Sequence, residues 1–161
     1  MVIRPAIPAD ALGVARVHVR AWQVGYQGLL PAAYLESLRA EDRAARYTFG
    51  VETGPATSVA IEGDAILGFV TIHDDELSAL HVDPDAWSRG VGRALIAHAR
   101  GDLVARGVRR AWLWLLAGNV RAQRFYERDG WIASGETRSD VVWGAPVDEV
   151  RYVRELPCTR A

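Results

Sequence analysis

Two glycines and two arginines lie together in the stretch WSRGVGRALIAHA, residues 87–99, and an amphipathic pattern follows them. Such a turn either connects two elements tightly or binds an anion. Gly90 and Gly92 allow the backbone to approach a ligand closely, and Arg89 and Arg93 add positive charge. At the start of a helix, free N–H groups and the helix dipole also favour a negative group. We therefore expect a phosphate group here, with a glycine-rich turn and solvated arginines as the alternative.

A second stretch, NVRAQRFYERDGW, runs from Asn119 to Trp131 and has polar residues at helical spacing. Asn119, Ala122 and Tyr126 are three and four residues apart, so they lie on one face of a predicted helix. A purely structural helix favours a large apolar residue at Ala122. The alternative is that Asn119 caps the helix and that Tyr126 is a core residue with a hydrated hydroxyl.

Other phosphate-binding motifs do not fit the glycine turn. A dinucleotide fingerprint requires a third glycine where Leu95 stands, and a P-loop requires a lysine after a glycine. All 19 basic residues of the chain are arginine. Schiff-base chemistry by lysine is therefore excluded, and a phosphate must be bound by arginine and backbone N–H groups.

The composition is typical of a soluble globular protein. The 161 residues are 50% hydrophobic and 24% charged, with a formal net charge of −1. These values predict one domain, residues 1–161, and no general attraction to nucleic acid or to a membrane surface. No apolar run approaches the roughly 20 residues of a membrane span, and the first residues lack a signal-peptide core. The single Cys158 fits a reducing compartment, so we expect a cytoplasmic protein.

The elements that position these residues follow from periodicity and turn signals. The prediction is a strand at 2–4, helices beginning at 10 and 31 and a third at 39–49, a hairpin at 57–73, a strand at 76–82, a helix from the glycine turn to 107, a strand at 109–116, a helix at 119–128, and strands at 131–135 and 149–156. This order predicts an α/β (α+β) fold, with a mixed, mostly antiparallel sheet of about seven strands and helices on both faces.

The two motifs together resemble the GNAT superfamily of N-acetyltransferases. Its signature is a strand ending in valine, a loop Gln/Arg-x-x-Gly-x-Gly/Ala and, after another strand, Asn-x-x-Ala-x-x-x-Tyr-x-x-x-Gly-aromatic. LHVDPDAWSRGVG and NVRAQRFYERDGW match it over Glu76 to Trp131. The first motif departs where Trp87 replaces Gln or Arg and Ser88 replaces a frequent glycine. The stretch AWQVGYQGLLPAAYLESL also looks like a segment common in small bacterial members.

The resemblance implies an acetyl-CoA-dependent N-acetyltransferase that acts on a primary amine by direct attack. In the family, two strands separate after the valine that corresponds to Val82, and pantetheine inserts between them. The implied cofactor-binding residues are Leu80, His81, Val82, Ser88, Arg89, Gly90, Val91, Gly92, Arg93, Asn119, Ala122, Phe125 and Tyr126. The acceptor is expected to be a small-molecule or peptide amine, with neither nucleic acid nor membrane as a partner.

Tyr126 and Glu76 are the candidate catalytic residues. A tyrosine keeps its proton near neutral pH, because its ordinary pKa is about 10, so Tyr126 is expected to protonate the departing thiolate. Glu76 lies six residues before Val82, where several family members have a catalytic glutamate, and is the candidate base. Strand alternation places Glu76, Ser78, Leu80 and Val82 on one face. A charge at the edge of a strand is the alternative for Glu76.

Trp22 and Tyr26 extend the buried stripe of the first helix, in a region that borders the acceptor pocket in the family. We expect Tyr26 to form a pocket wall and Trp22 to belong to the core, with substrate binding as a further role for both. The histidines lack metal-ligand spacing, so no metal is expected. His81 is expected on the face opposite Leu80.

A second functional class remains open from the sequence, namely a non-catalytic acyl-CoA-binding or sensing module with the same fold. Tyr126 favours the enzyme. A homodimer is also possible, because the late strands are expected to be exposed and the chain has six tryptophans.

Overall fold

The computed structural model describes residues 1–157, so Cys158, which predicted a reducing compartment, lies outside the described residues. The strands are β1 Val2–Pro5, β2 Ala56–Glu62, β3 Ala65–His73, β4 Glu76–Val82, β5 Arg110–Leu116, β6 Ile132–Val142 and β7 Ala145–Glu155. The helices are α1 Ala11–Gly25, α2 Ala32–Ser37, α3 Ala40–Ala44, α4 Val91–Ala105 and α5 Val120–Arg128. Among these helices, none is both long and apolar enough to span a membrane.

The strands form one seven-stranded sheet in the order β1-β2-β3-β4-β5-β7-β6. The β4–β5 pair is parallel, and every other neighbouring pair is antiparallel. This arrangement confirms the predicted fold class, a mixed and mostly antiparallel sheet flanked by helices.

Helices pack on both faces of the sheet through the apolar stripes that the sequence shows. In α4, the predicted stripe of Val91, Leu95, Ala99 and Leu103 is buried in the main core. On the opposite face, Val14 of α1 packs in a separate cluster with residues of β2 and β3. The sheet therefore separates an α4 face from an α1 face.

Two elements differ from the prediction. The third helix is only Ala40–Ala44, rather than 39–49, and Tyr47 and Phe49 stack on each other after it with ring centroids 4.9 Å apart. The final hairpin is longer than 131–135 and 149–156, because Ile132–Val142 is an exposed edge strand formed by pairing with β7. An exposed edge strand lacks apolar alternation, so periodicity could not reveal it.

The parallel strands β4 and β5 touch only near their first residues. Glu76 is paired with Trp112, and the Trp112 N–H donates to the carbonyl of Asp75 at 3.2 Å. Beyond this point the described residues form no further ladder between the two strands. The strands separate and leave a gap in the sheet, next to both sequence motifs.

Candidate functional site

The gap between β4 and β5 opens into a cleft of about 820 Å³. This volume lies near the upper end of ordinary small-molecule sites, roughly 300–1,000 Å³. The cleft has two halves, which we name by their linings. The motif half is lined by Leu80, Val82, Trp87, Ser88, Gly90, Val91, Gly92, Arg93, Asn119, Arg121, Ala122 and Phe125. The aromatic half is lined by His18, Trp22, Tyr26, Arg43, His81, Val142, Trp143, Val147 and Glu149.

In the motif half, β4 turns backbone groups toward the cleft. The Asp83 N–H donates to a carbonyl of β3 at 2.8 Å. Alternate residues of a strand direct their backbone groups to the same side, so those of His81 also face β3, whereas those of Leu80 and Val82 face the cleft. The Val82 carbonyl accepts a hydrogen bond from the indole Nε1 of Trp87 at 2.9 Å. The backbone groups of Leu80 and the Val82 N–H are left for a ligand.

The glycine turn ends at the N-terminus of α4. Gly90 has φ of +83° at the helix N-cap, where no side chain caps the helix, and Ser88 has φ of +64°. A Cβ at Gly92 would lie 3.3 Å from the Phe125 ring. Gly90 is therefore required by its left-handed backbone and Gly92 by close packing. The first N–H groups of α4 remain available to an anion.

The arginines near this turn have different roles. Arg93 lines the cleft, whereas the guanidinium of Arg89 lies 2.7 Å from the Glu62 carboxylate and is not part of the lining. Arg121, which the sequence analysis did not select, lies over the Trp87 ring with its Cζ 3.2 Å from the centroid. Burial lowers the pKa of Arg121. Trp87 thus supports both the turn and this guanidinium.

The second motif forms α5 as predicted and places its polar residues on the cleft. The Asn119 Oδ1 accepts from the Ala122 N–H at 3.1 Å, which caps the helix and leaves the side-chain NH₂ group free of this contact. Ala122, Phe125 and Tyr126 all line the cleft. Cap and ligand contact are therefore compatible roles for Asn119.

Tyr126 lies where the two halves of the cleft meet, and its side chain is only 7% exposed. Burial raises the pKa of its hydroxyl above the ordinary value, and nearby Tyr26 and Asp129 add to that increase. The hydroxyl is therefore protonated at neutral pH. It makes no hydrogen bond with another residue of the described range, so its proton is available to a ligand.

A bulge in β4 changes the face on which Glu76 lies. Ala79 and Leu77 are paired with consecutive residues of β3, so Ser78 is an extra residue. An extra residue reverses the alternation of side chains below it. Glu76 consequently shares a face with Ala79 and His81, the α1 face of the sheet.

The predicted alternation, which placed Glu76 on the same face as Leu80 and Val82, is therefore wrong. Glu76 also lies at the closed end of the cleft, opposite Trp112, and is not part of the lining. Burial raises the pKa of its carboxyl group. Glu76 thus lies on the same face of the sheet as His81 of the aromatic half. It directly precedes Leu77, which lines the cleft.

Two stacked histidines form part of the aromatic half. The rings of His18 and His81 are 4.5 Å apart between centroids, and the Nδ1 of His18 lies 2.7 Å from the Tyr47 hydroxyl oxygen. Burial lowers the pKa of both imidazoles, that of His81 to about 4, and the charge of Arg43 lowers them further. Both rings are therefore neutral at pH 7.

Trp143 is held above the aromatic half in an unfavourable backbone conformation. Its φ is +52°, which is rare for a bulky residue. The hydroxyl of Tyr34 donates to its carbonyl at 2.6 Å, and its ring lies 5.0 Å from both Trp22 and His18. Trp143 could not be predicted from the sequence, because it lies in a turn between two strands of which one is exposed.

Trp22 and Tyr26 both line the cleft. Trp22 is 5% exposed, and its indole Nε1 is buried without a hydrogen-bond partner in the described range. Burial raises the pKa of Tyr26 to about 12, and the charge of Glu149 contributes. The carboxylate of Glu149 lies 2.7 Å from the Arg138 Nε.

In residues 1–157, no group of three or more His, Cys, Asp or Glu side chains is arranged to hold a metal ion.

Comparisons with known proteins agree with this geometry. The model of the acetyltransferase (GNAT) family matches residues 19–131. The protein YuaI of Bacillus subtilis strain 168, named as an uncharacterized N-acetyltransferase, is 28% identical over 125 residues, which are 73% of this chain and 72% of that protein.

Two solved structures share the fold at low sequence identity. A GCN5-related N-acetyltransferase from Rhodopseudomonas palustris has a TM-score of 0.77 and 21% identity, with 96% of this chain and 95% of the other covered. The PaiA N-acetyltransferase of Thermoplasma acidophilum, in complex with coenzyme A, has a TM-score of 0.71 and 18% identity, with 96% and 98% covered. Because the family match contains the separated strands and both motifs in full, the chain belongs to the GNAT family of acetyltransferases.

Proposed function

We propose that the protein transfers the acetyl group of acetyl-CoA to a primary amine by direct attack. One observation carries this proposal: free backbone groups of β4 and the uncapped N-terminus of α4 line the same cleft, next to the protonated hydroxyl of Tyr126. The coenzyme A bound to the relative from Thermoplasma acidophilum supports the choice of cofactor.

The motif half offers groups that suit the pantetheine and the pyrophosphate of acetyl-CoA. Leu80 and the Val82 N–H offer backbone hydrogen bonds to the amide groups of pantetheine, and the side-chain NH₂ of Asn119 offers another. Ala122 and Phe125 provide an apolar wall. The N–H groups of residues 91–93, together with the helix dipole, would bind the pyrophosphate. When bound, acetyl-CoA supplies the thioester carbon that the amine attacks.

The amine must be neutral to attack, although the ordinary pKa of an alkylamine is about 10. In our proposal, Glu76 takes the amine proton through a bridging water, because Glu76 lies beyond the cleft wall and its raised pKa suits a base. The amine nitrogen then bonds to the acetyl carbon as the carbon–sulfur bond breaks, and the acylated nitrogen loses its second proton to water. Tyr126 gives its proton to the thiolate sulfur, and exchange with solvent returns Glu76 and Tyr126 to their starting protonation.

A two-part experiment tests the proposal. Calorimetry measures acetyl-CoA binding, and a thiol-release assay with a panel of primary amines measures turnover, with mass spectrometry identifying the acetylated amine. Because the chain has no lysine, acetylation of its own lysine side chains does not contribute to the signal. We expect binding together with amine-dependent thiol release. Binding without turnover over the whole panel would favour an acyl-CoA-sensing module instead.

A further inference from the structure

The aromatic half of the cleft contains an arginine without a carboxylate partner. Arg43 lines the cleft at the end of α3. Of the acidic side chains in residues 1–157, none lies within salt-bridge distance of its guanidinium. Its Cζ lies instead 4.9 Å from the Trp143 ring centroid and 5.3 Å from that of Tyr47. Aromatic faces position a cation without neutralising its charge.

Two buried N–H groups of this half also lack a partner. They are the Nε of Arg43 and the Nε1 of Trp22. The other buried side-chain donors without a hydrogen bond in the described range belong to Arg100, Arg151 and Arg154, which all have carboxylate partners in salt bridges. Buried donors are normally paired. The unpaired donors of the cleft therefore indicate where a ligand's acceptor group would bind.

The positive charge here belongs to Arg43 and not to the histidines beside it. Burial, with the charge of Arg43, lowers the pKa of His18 and of His81, so both rings are neutral at pH 7. A ligand anion would therefore meet one guanidinium and neutral aromatic surfaces. A carboxylate suits this environment, because it only accepts hydrogen bonds and pairs well with a guanidinium.

The aromatic half also contains a carboxylate, that of Glu149, which is paired with Arg138. The side chain of Glu149 is 11% exposed, and its charge contributes to the raised pKa of Tyr26, which in turn contributes to that of Tyr126. Glu149 and Tyr126 line the same cleft, so the Glu149 carboxylate would attract a positively charged amine into the cleft before the amine loses its proton. The apolar surfaces of Val142 and Val147 also line this half.

We propose that the acceptor is a primary amine that carries a carboxylate and an apolar body, which is the chemistry of an apolar amino acid. The Arg43 guanidinium and the Trp22 indole N–H bind the carboxylate, Trp143 packs on the apolar body, and the amine is directed toward Tyr126. This inference rests on the proposed acetyl transfer. It separates the acceptor from polyamines and from peptide N-termini, in which the corresponding carboxylate is absent or is an amide.

The test compares amines that share an apolar body and differ in the carboxylate. Because the carboxylate also changes the amine pKa, kcat/KM is calculated for the neutral form of each amine. Leucine, leucinamide and 3-methylbutylamine share the apolar body, and a second series of apolar amino acids varies the spacing between the amine and the carboxylate. We expect kcat/KM for the best amino acid to exceed that for its amide and its decarboxylated amine by about 10-fold or more. The carboxylate accepts charge-assisted hydrogen bonds through two oxygens, whereas the amide has one neutral acceptor oxygen and the decarboxylated amine has none. Calorimetry on the protein saturated with coenzyme A measures amino-acid binding without turnover.

The variant Arg43→Gln removes the guanidinium, and Arg43→Lys retains the charge. We expect Arg43→Gln to raise KM and Kd for the amino acid by about 10-fold or more, with little change for the decarboxylated amine, and Arg43→Lys to be intermediate. Arg46→Gln is the matched control, because Arg46 lies in the same segment but is exposed. Trp22→Phe keeps an aromatic ring without the N–H. It should weaken binding of the amino acid, but less than Arg43→Gln does.

The outcomes distinguish this inference from the proposed function. If wild type acetylates the amide and the amine as well as the amino acid, the carboxylate site is wrong while acetyl transfer stands. If Arg43→Gln weakens all three acceptors equally, the assignment of Arg43 is likewise overturned. If no thiol is released with these amines or with any other amine tested, the proposed function itself is contradicted. If Arg43→Gln fails to fold, the wild-type series and Arg43→Lys decide the question.

Discussion

The two halves of the cleft are built from different parts of the chain. In the motif half, residues 91–93 at the start of α4, the strand end at Leu80 and Val82, and the small residue Ala122 face the cleft. In the aromatic half, large side chains from α1, α3, β4 and the β6–β7 hairpin face it. Under the proposed function, the first half offers a surface for acetyl-CoA, and the second offers side chains that would select an acceptor.

This difference predicts where each substitution acts. A change in the motif half should alter acetyl-CoA affinity, because the backbone carries that contact. A change in the aromatic half should alter amine selectivity or pH dependence and leave acetyl-CoA affinity near its wild-type value. This assignment would be contradicted by a substitution in the motif half that changes only amine selectivity, or by one in the aromatic half that changes acetyl-CoA affinity.

The largest expected effect is that of Glu76→Gln. Loss of a catalytic base typically costs 10²–10⁴-fold, so we expect kcat to fall by about 100-fold with acetyl-CoA affinity retained. A base must be deprotonated, so wild-type activity should decline as the pH falls through the raised pKa of Glu76, and the variant should lack this acidic limb. Steady-state kinetics of both proteins between about pH 4.5 and 9 measure the difference in pH profile. Steps of about one pH unit resolve a single titration.

The matched control for that measurement is Glu155→Gln, at an exposed carboxylate at the end of β7. It should show the wild-type rate and pH profile. An unchanged acidic limb in Glu76→Gln would assign the proton transfer to water or to another group. Glu76 would then be a charge at the edge of a strand.

The next effect belongs to the motif half. Gly90→Val places a branched side chain at φ of +83°, and Gly92→Val places one against Phe125. We expect each to weaken acetyl-CoA binding by about 10-fold or more, because the strain displaces the N–H groups at the start of α4. Calorimetry measures the affinity, and circular dichroism confirms the fold.

Gly101→Val is the control for these variants, because Gly101 lies later in α4 and a Cβ there meets nothing within 4 Å. It should bind acetyl-CoA within about 2-fold of wild type. Wild-type affinity in folded Gly90→Val and Gly92→Val would remove the pyrophosphate from this turn.

The smallest expected effect is on stability in the aromatic half. His18 and His81 have folded pKa values below 6.5, so the unfolded chain binds more protons and stability rises with pH through this range. We expect the free energy of unfolding to decrease by about 1 kcal/mol between pH 7 and 6. Urea unfolding at each pH measures it.

His81→Gln should reduce that pH dependence, whereas His73→Gln, at the exposed end of β3, should preserve it. An equal slope in His81→Gln and wild type would show that the stacked histidines do not cause it. A change in kcat/KM for the amine in His81→Gln, with acetyl-CoA affinity unchanged, would further support the distinction between the two halves of the cleft.

The difference between the two halves also explains why the sequence predicted the motif half better than the aromatic half. Asn119, Ala122 and Tyr126 lie within one helix, so their spacing alone places them on one face, and the glycine turn is equally local. The seven-stranded sheet also followed from the order of elements. Trp143 and Glu149 lie in the final hairpin, part of which has no apolar alternation, so their position beside α1 depends on strand pairing.

Glu76 shows how one local irregularity defeats a periodic argument. Its distance from Val82 is fixed by the sequence, but its face depends on the bulge at Ser78, which alternation does not reveal. Arg43 was missed for a different reason. A single arginine in a charged segment resembles a solvated one, until the fold places it beside Trp143 without a carboxylate.

The variant Tyr126→Phe tests the central claim most directly, because Tyr126 lies where the two halves meet. Phenylalanine keeps the ring and removes the proton donor, so acetyl-CoA affinity should remain near wild type. Turnover should fall by about 10-fold or more, because a general acid contributes 10²–10⁴-fold in full, with kcat and kcat/KM reduced equally. A wild-type rate of thiol release in this variant would contradict the account, since the thiolate would then leave without the Tyr126 proton.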